Sequence, residues 1–239
     1  EGWLEPQTLS FELGGQEVSL ETGRVGRLAD ATVVARVGET VLFVTACCAR
    51  EATGDGSFAP LSVQYQEKFS AAGRTSGSFL KREGKLRDDE VLTCRLIDRP
   101  LRPLMPKGWA FETQLLANVM SYDGQSRPEP LAITASGAAM CLSSVPITTA
   151  VVGVRVGRID GDFVINPTTE QQAMSDLDLV MAGTRRAVLM IEGFADFLPE
   201  ETLLEALELG HAEIAQAAEK IEAWAAEVGK PKYDGPLML

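Results

Sequence analysis

Three arginines, Arg95, Arg99 and Arg102, stand four and three residues apart in an acidic chain. If that stretch is helical, Arg95 and Arg99 emerge on one face. Like charges at this spacing repel by about 0.2–0.5 kcal/mol unless an anion sits between them. Arg102 follows Pro100 and is placed to converge on the same volume. A guanidinium grips two oxygens at once, which an ammonium does not, so three aimed at one point make a cradle for phosphate. A second reading stays open. Asp98 lies three residues from Arg95 and one from Arg99, close enough to neutralise either as a local ion pair.

Upstream, Phe79-Leu80-Lys81-Arg82 is surrounded by Gly73, Gly77 and Gly84, which mark an exposed loop. Two apolar side chains followed by two cations suit single-stranded nucleic acid. A ring stacks on a base, worth about 1–3 kcal/mol, while cations hold the backbone. Equally open is a loop in which Phe79 packs on the body and the cations are solvated. From Glu67 to Lys107 there are ten basic residues against six acidic ones, in a chain of net charge −12. A positive patch on a negative body draws anions to one place and repels them elsewhere. The balance argues against nucleic-acid binding over the whole surface.

Other chemistry is thinly represented. Cys47, Cys48, Cys94 and Cys141 show no C-x-x-C spacing, so they read as free thiols and not as a zinc site or disulfide framework. His211 is the only histidine, which argues against a Ser-His-Asp triad or a His-rich metal site. Asp176 and Asp178 alternate along a strand; they read as a solvated face, with a metal site as the other option. Asp160 and Asp162 flank a turn glycine, and turn chemistry accounts for them. "SAAGRTSG" is glycine-rich without the closing Gly-Lys-Ser/Thr of a phosphate-binding P-loop.

The elements that must position these groups follow from periodicity. The chain has 239 residues and is 45% hydrophobic, which fits one large or two small globular domains. No run of 18 or more apolar residues exists, so no transmembrane helix is expected. "EVSLETGRV" follows a Gly14-Gly15 turn as a strand. "DATVVARVGETVLFVTACCA" is a hairpin around Gly38 and Glu39, and "APLSVQYQEKF" is a further strand. Residues 70–87 read as a loop. Asp88 and Asp89 read as N-caps of a helix from Glu90 to Asp98, stopped by Pro100 and Pro103. "FETQLLANVMSYD" is a strand. "EPLAITASGAAMCLSS" reads as a buried helix whose small residues let a sheet come close. Hairpins turn at Asp160-Gly161 and at Gly183-Thr184. A helix from Pro199 to Val228, about 43 Å long, carries one apolar face through Leu203, Leu207, Gly210, Ile214, Ala217, Ile221, Trp224 and Val228. Hairpins outnumber βαβ units, which predicts an α+β fold of mixed sheets packed with helices. The tail "KYDGPLML" reads as the start of a linker, and Glu1 in place of Met reads as a processed or excerpted piece.

The stretch "YQEKFSAAGRTSGSFLKREG" with "RLIDRPLRPLMPKG" closely resembles the polynucleotide phosphorylases, in their first RNase PH-like core. "LETGRVGRLADATVVARVGETVLFVTA", "INPT" and "LDLVMAGT…AVLMIEG" fit in the same order, so the resemblance covers nearly the whole chain. It implies an RNase PH-like core of the ribosomal protein S5 domain 2-like kind over residues 1–229. Residues 230–239 would begin a linker to a missing second core. It implies a homotrimeric ring that degrades single-stranded RNA from the 3′ end, using inorganic phosphate to release nucleoside diphosphates. It also implies the reverse reaction, which adds 3′ tails, and no membrane attachment. A Phe-Phe-Arg-Arg loop that grips RNA in the family matches Phe79, Leu80, Lys81 and Arg82 here, with two positions changed. Leu80 does not stack as a ring does, and Lys81 is a point charge. The family's arginines against phosphate and the RNA end match Arg95 and Arg99, with Arg102 beside them. Its catalytic Ser-rich loop and the aspartates for Mg²⁺ belong to the second core, so this chain alone is expected not to turn over. The wording "FSAAGRTSG" with "KREG" is nearer the chloroplast branch; bacterial cytoplasm and mitochondrion are the alternatives. A silent RNase PH-like scaffold or a plain RNA-binding subunit of a larger ribonucleoprotein is the rival reading.

Overall fold

The computed structural model describes residues 5–77 and 83–238. Its first sheet is assembled from antiparallel neighbours: β1 (Gln7–Leu13), β2 (Gln16–Thr22), β3 (Ala31–Val37) and β4 (Thr40–Ala52). Beyond β4 come β6 (Phe111–Ser121) and, at the edge, β5 (Leu61–Glu67). The β5–β6 pairing is parallel, with Leu61 opposite Thr113 and Glu67 opposite Val119. Antiparallel strands are joined by tight turns, but parallel ones need a crossover. The crossover is α1 (Asp88–Leu101), the helix that carries Arg95 and Arg99.

The second sheet holds β7 (Val152–Ile159), β8 (Asp162–Ile165), β9 (Leu177–Gly183) and β10 (Val188–Ala195) in the order β10-β9-β7-β8. Ile159 faces Asp162 across a two-residue turn in which Asp160 and Gly161 both have positive φ, 53° and 96°. That is the hairpin turn whose twist matches its strands, and it is the reason for Asp160.

Between the sheets lies α2 (Glu129–Leu142), buried at every position from Pro130 to Leu142. Small residues make this possible. A methyl at Gly137 would collide with the carbonyl oxygen of Val151. The long helix α4 (Glu200–Val228) closes the layer, burying Ala206, Gly210, Ile214, Ala217, Ala218, Ile221 and Trp224. Leu203, Leu207 and Val228 of the expected face are half-buried against the same core.

Helix α1 is longer than the sequence predicts. Pro100 sits inside it, and Arg102 N–H still donates to the Asp98 carbonyl to close the last turn. A proline in a final turn removes one bond and does not break the helix. Asp88 and Asp89 lie within the first turn instead of capping it. There they complement the helix dipole, and the Glu90 carboxylate accepts from Arg87 N at 2.7 Å. A short helix, α3 (Thr169–Ala173), lies where the sequence predicts no element; Thr168 and Gln171 cap each other's backbone.

Residues 230–238, which read from sequence as the start of a linker, run back along the body. Lys230 N donates to Leu142 O, Tyr233 N to Ser144 O and Met238 N to Gly108 O, at 2.8–3.0 Å. The Lys232 ammonium donates to the carbonyls of Met140, Cys141 and Ser143 at 3.3, 2.6 and 2.7 Å, satisfying the end of α2. Burial holds the pKa of Lys232 below the ordinary lysine value.

Candidate nucleic-acid and phosphate interface

Helix α1 rests on β5 and touches β10 of the other sheet. Its inner face is Glu90, Thr93, Ile97, Pro100 and Leu101. The opposite face presents Val91, Leu92, Arg95 and Arg99 to solvent. The two arginines therefore share one exposed face, as their spacing predicts. Arg99 Nη1 lies 2.8 Å from Glu192 Oε2 of β10, with side chains 51% and 59% exposed. An ion pair that open to water is worth at most about 1 kcal/mol, so it is readily exchanged for a stronger anion. Arg95 forms no ion pair among the described residues.

Arg102 does not join them. Its Nε and Nη2 donate to Asp98 Oδ2 and Oδ1 at 2.9 and 2.6 Å. Its Nη1 and Nη2 also donate to the carbonyls of Ala59 and Leu61, both at 3.0 Å. The guanidinium lies 4.9 Å from the centre of the Phe58 ring. The expected third member of the cradle is instead a clamp tying the end of α1 to the start of β5. The same pairing corrects the reading of Asp98. Its carboxylate serves Arg102, one helical turn on, and leaves Arg95 and Arg99 to others.

Phe79, Leu80, Lys81 and Arg82 lie outside the described residues. The described residues on either side of them are tied together. Phe69 N donates to Glu83 Oε1 at 2.5 Å, and Lys68 Nζ lies 3.5 Å from Glu83 Oε2. Arg87 Nη2 reaches Glu67 Oε2 at 2.7 Å and Asp89 Oδ2 at 3.1 Å. The hydrogen bond from Arg87 holds the Asp89 carboxyl below the ordinary range. Beneath this, Glu90 is buried at 3% exposure and accepts from Glu67 N at 2.8 Å as well as from Arg87 N. Tyr65 O–H donates to Glu67 Oε1 at 2.9 Å. Burial first, and the Glu67 charge second, push the Tyr65 phenol well above its ordinary value, so it stays a donor. Glu67, Lys68 and Phe69 on one side of that segment and Glu83 and Arg87 on the other thus meet near the N-terminal end of α1, about two helical turns from Arg95.

The remaining sequence candidates fall into place as structural groups. Asp176 Oδ2 pairs with Arg158 Nη1 at 2.6 Å, and Asp178 Oδ1 lies 3.3 Å from Arg155 Nε. Cations occupy both carboxylates, and no cluster of three or more metal-ligating side chains exists among the described residues. All four cysteines are free, and His211 Nε2 meets the Thr184 carbonyl at 3.1 Å. Sequence reasoning missed Glu90 and Arg155, both charged and both buried. Each sits at an ordinary position in an element, and only the tertiary packing hides it.

Comparison with known proteins gives the following. Residues 14–146 match the family model described as "3′ exoribonuclease family, domain 1", and residues 149–213 match domain 2 of the same family. Polyribonucleotide nucleotidyltransferase of Protochlamydia amoebophila is 52% identical over 229 residues, 96% of this chain and 33% of that protein. The probable polyribonucleotide nucleotidyltransferase 1, chloroplastic, of Oryza sativa is 54% identical over 220 residues, 92% of this chain and 24% of that protein. The chain thus spans a third or less of the length of these relatives. The crystal structure of rice Rrp46 superposes with a TM-score of 0.71 at 13% identity, covering 90% of this chain and 96% of that one. The likeness shows the fold to be RNase PH-like, an α+β arrangement as expected.

Proposed function

The chain belongs to the 3′ exoribonuclease family, and on that premise we propose that it is the first core, residues 1–229, of a phosphate-dependent 3′-to-5′ exoribonuclease. Residues 230–239 begin its connection to a second core. The whole protein would release nucleoside diphosphates from single-stranded RNA and, in reverse, add 3′ tails. It would do so as a homotrimeric ring, in the chloroplast. The chloroplastic rice relative supports the location. The observation that carries the functional reading is the outward face of α1, where Arg95 and Arg99 stand one turn apart beside the tied base of the loop.

The reaction is an in-line displacement. An oxygen of inorganic phosphate attacks the last phosphodiester, the bond to the preceding 3′-oxygen breaks, and that oxygen takes up a proton. Every participant is anionic, so fixed cations that offset the repulsion lower the barrier. Arg95 and Arg99 supply such charge on a rigid helix, with Glu192 as the resting partner of Arg99. Phe79, Leu80, Lys81 and Arg82 would hold the RNA strand upstream. The described residues do not fit a Mg²⁺ site, since no carboxylate cluster is available; the ion would belong to the remainder of the protein.

The test is Arg99→Ala in the complete protein, with phosphorolysis of a single-stranded RNA as the readout. Loss of a charge-stabilising donor should slow the reaction at least tenfold, toward the roughly 10²–10³-fold seen for such donors. An unchanged rate removes Arg99 from the proposal.

A further inference from the structure

Strand β5 ends its sheet, so one of its edges has no partner strand. An open edge presents a row of unpaired N–H and C=O groups. Here side chains of α1 meet that row. Glu90 Oε1 accepts from Glu67 N at 2.8 Å, Cys94 Sγ accepts from Tyr65 N at 3.1 Å, and Arg102 Nη2 donates to Leu61 O at 3.0 Å. Glu67, Tyr65 and Leu61 are even steps apart, as one edge of a strand requires.

On the helix, Glu90, Cys94 and Arg102 belong to one slanting row of i+4 steps, and Asp98 fills the place between by pairing with Arg102. The row one residue on holds Arg95 and Arg99. A step of one residue turns about 100° round the helix. The fastened row thus sets the rotation of α1 about its own axis, and that rotation is what aims the two arginines. Apolar packing does not do this for the first half of the helix. The buried apolar residues Ile97, Pro100 and Leu101 all lie in its second half, and the buried residues before them are Glu90 and Thr93. Thr93 Oγ1 donates to the Asp89 carbonyl of its own helix, and Val91 and Leu92 face solvent.

Glu90 is the principal tether. Its side chain is only 4% exposed, its second oxygen accepts from Arg87 N at 2.7 Å, and Arg87 Nη1 stands 3.9 Å away. A carboxylate taken out of water is costly unless such hydrogen bonds compensate it. We propose that Glu90 is a positioning residue for phosphorolysis, with Cys94 as a second tether. By fixing the rotation of α1 against β5, they aim Arg95 and Arg99 at the RNA end. This rests on the reading of the α1 face given above.

The test is kcat for phosphorolysis of a single-stranded RNA by the complete protein, assayed well below the Tm of each variant. Glu90→Gln keeps the side chain's size but offers one acceptor oxygen to two N–H donors. It should lower kcat about tenfold, since a misplacement of about 1 Å can cost about 10²-fold. In an Arg99→Ala background the same substitution should cost no more than about threefold, because one of the two aimed groups is already gone. A purely structural role would give the same fold loss in both backgrounds, and that result overturns the proposal. So does a wild-type kcat in Glu90→Gln. If Glu90→Gln fails to fold, Cys94 decides. Cys94→Ala should lower kcat several-fold in wild type and little in Arg99→Ala, and Cys94→Ser, whose hydroxyl accepts the same N–H, should restore it. A Cys94→Ala protein with undiminished kcat, or with equal losses in both backgrounds, then overturns the proposal. Failure of the underlying reading is distinct. It shows as full activity in Arg99→Ala alone, and it removes both.

Discussion

Arg102 and Asp98 meet through two parallel hydrogen bonds, 2.9 and 2.6 Å, while the same guanidinium caps two carbonyls at the start of β5. The pair is about two-thirds to three-quarters shielded from water. Hydrogen bonds to charged groups contribute about 1.5–3 kcal/mol each when removed singly. Arg102→Ala should therefore lower stability by about 2–4 kcal/mol, read as a fall in Tm. Arg102→Lys should recover little of it, because an ammonium does not present the planar fork that the four acceptors require.

Opposite behaviour is expected of the Arg99–Glu192 pair. With both side chains half in solvent, Glu192→Ala should change stability by less than about 1 kcal/mol. The substitution should tighten single-stranded RNA binding by the complete protein, because it frees Arg99. Arg99→Ala should weaken binding and make the dependence of affinity on salt shallower, by about 0.7 for each RNA phosphate that Arg99 neutralises. Equal salt slopes in wild type and Arg99→Ala would count against a phosphate partner for this residue.

Gly137→Ala adds one methyl group where the backbone of Val151 leaves none a place. Overpacking of this kind costs about 1–3 kcal/mol, and more where backbone must move. The expected result is a marked drop in Tm or failure to fold, measured by thermal denaturation. Ala138→Gly in the same helix should cost only about 1 kcal/mol by propensity, plus the packing of one methyl.

How much of this is legible in the sequence varies with range. The one-face spacing of Arg95 and Arg99, the small-residue helix under the sheets and the apolar face of α4 are local periodicities, and the structure reproduces them. Pairing across long separations is not local. Nothing in "APLSVQYQEKF" declares that its strand runs parallel to Phe111–Ser121. Two of the four acceptors of Arg102 are hidden for the same reason, because the carbonyls of Ala59 and Leu61 lie at the start of that strand, whereas Asp98, four residues back, is within local reach. Arg155 follows the same logic. It sits in a β-strand of alternating glycines and valines, and only the approach of α2 and β9 buries it.

Acid should loosen the base of the loop. Hydrogen bonding to Arg87 holds the folded pKa of Asp89 below its unfolded value. The contribution of this group is therefore complete above the unfolded carboxylate range and is lost as pH falls through the lower, folded value. Between about pH 6 and pH 2 stability should decline, and Arg87→Ala should make that decline shallower. A pH–stability profile identical in the two proteins would show that Asp89 contributes nothing through Arg87.

Thiol chemistry should separate the cysteines. Burial pushes the Cys141 thiol up to about 12, far from the thiolate that alkylating reagents require. At pH 8 iodoacetamide should modify Cys141 only after unfolding in denaturant, as read by mass spectrometry of peptides. Cys47, only half-buried, should react earlier.

The parallel partnership of the edge strand with its neighbour has a kinetic side. During synthesis the helix that bears Arg95 and Arg99 is made before Phe111–Ser121, the strand that must slot between Thr40–Ala52 and Leu61–Glu67. Until that insertion, the helix has no complete floor and its two cations no fixed bearing. Pairings so distant along the chain form slowly. A nascent protein therefore carries these two arginines unaimed, and their common face on the helix exists only once the distant strand is in place.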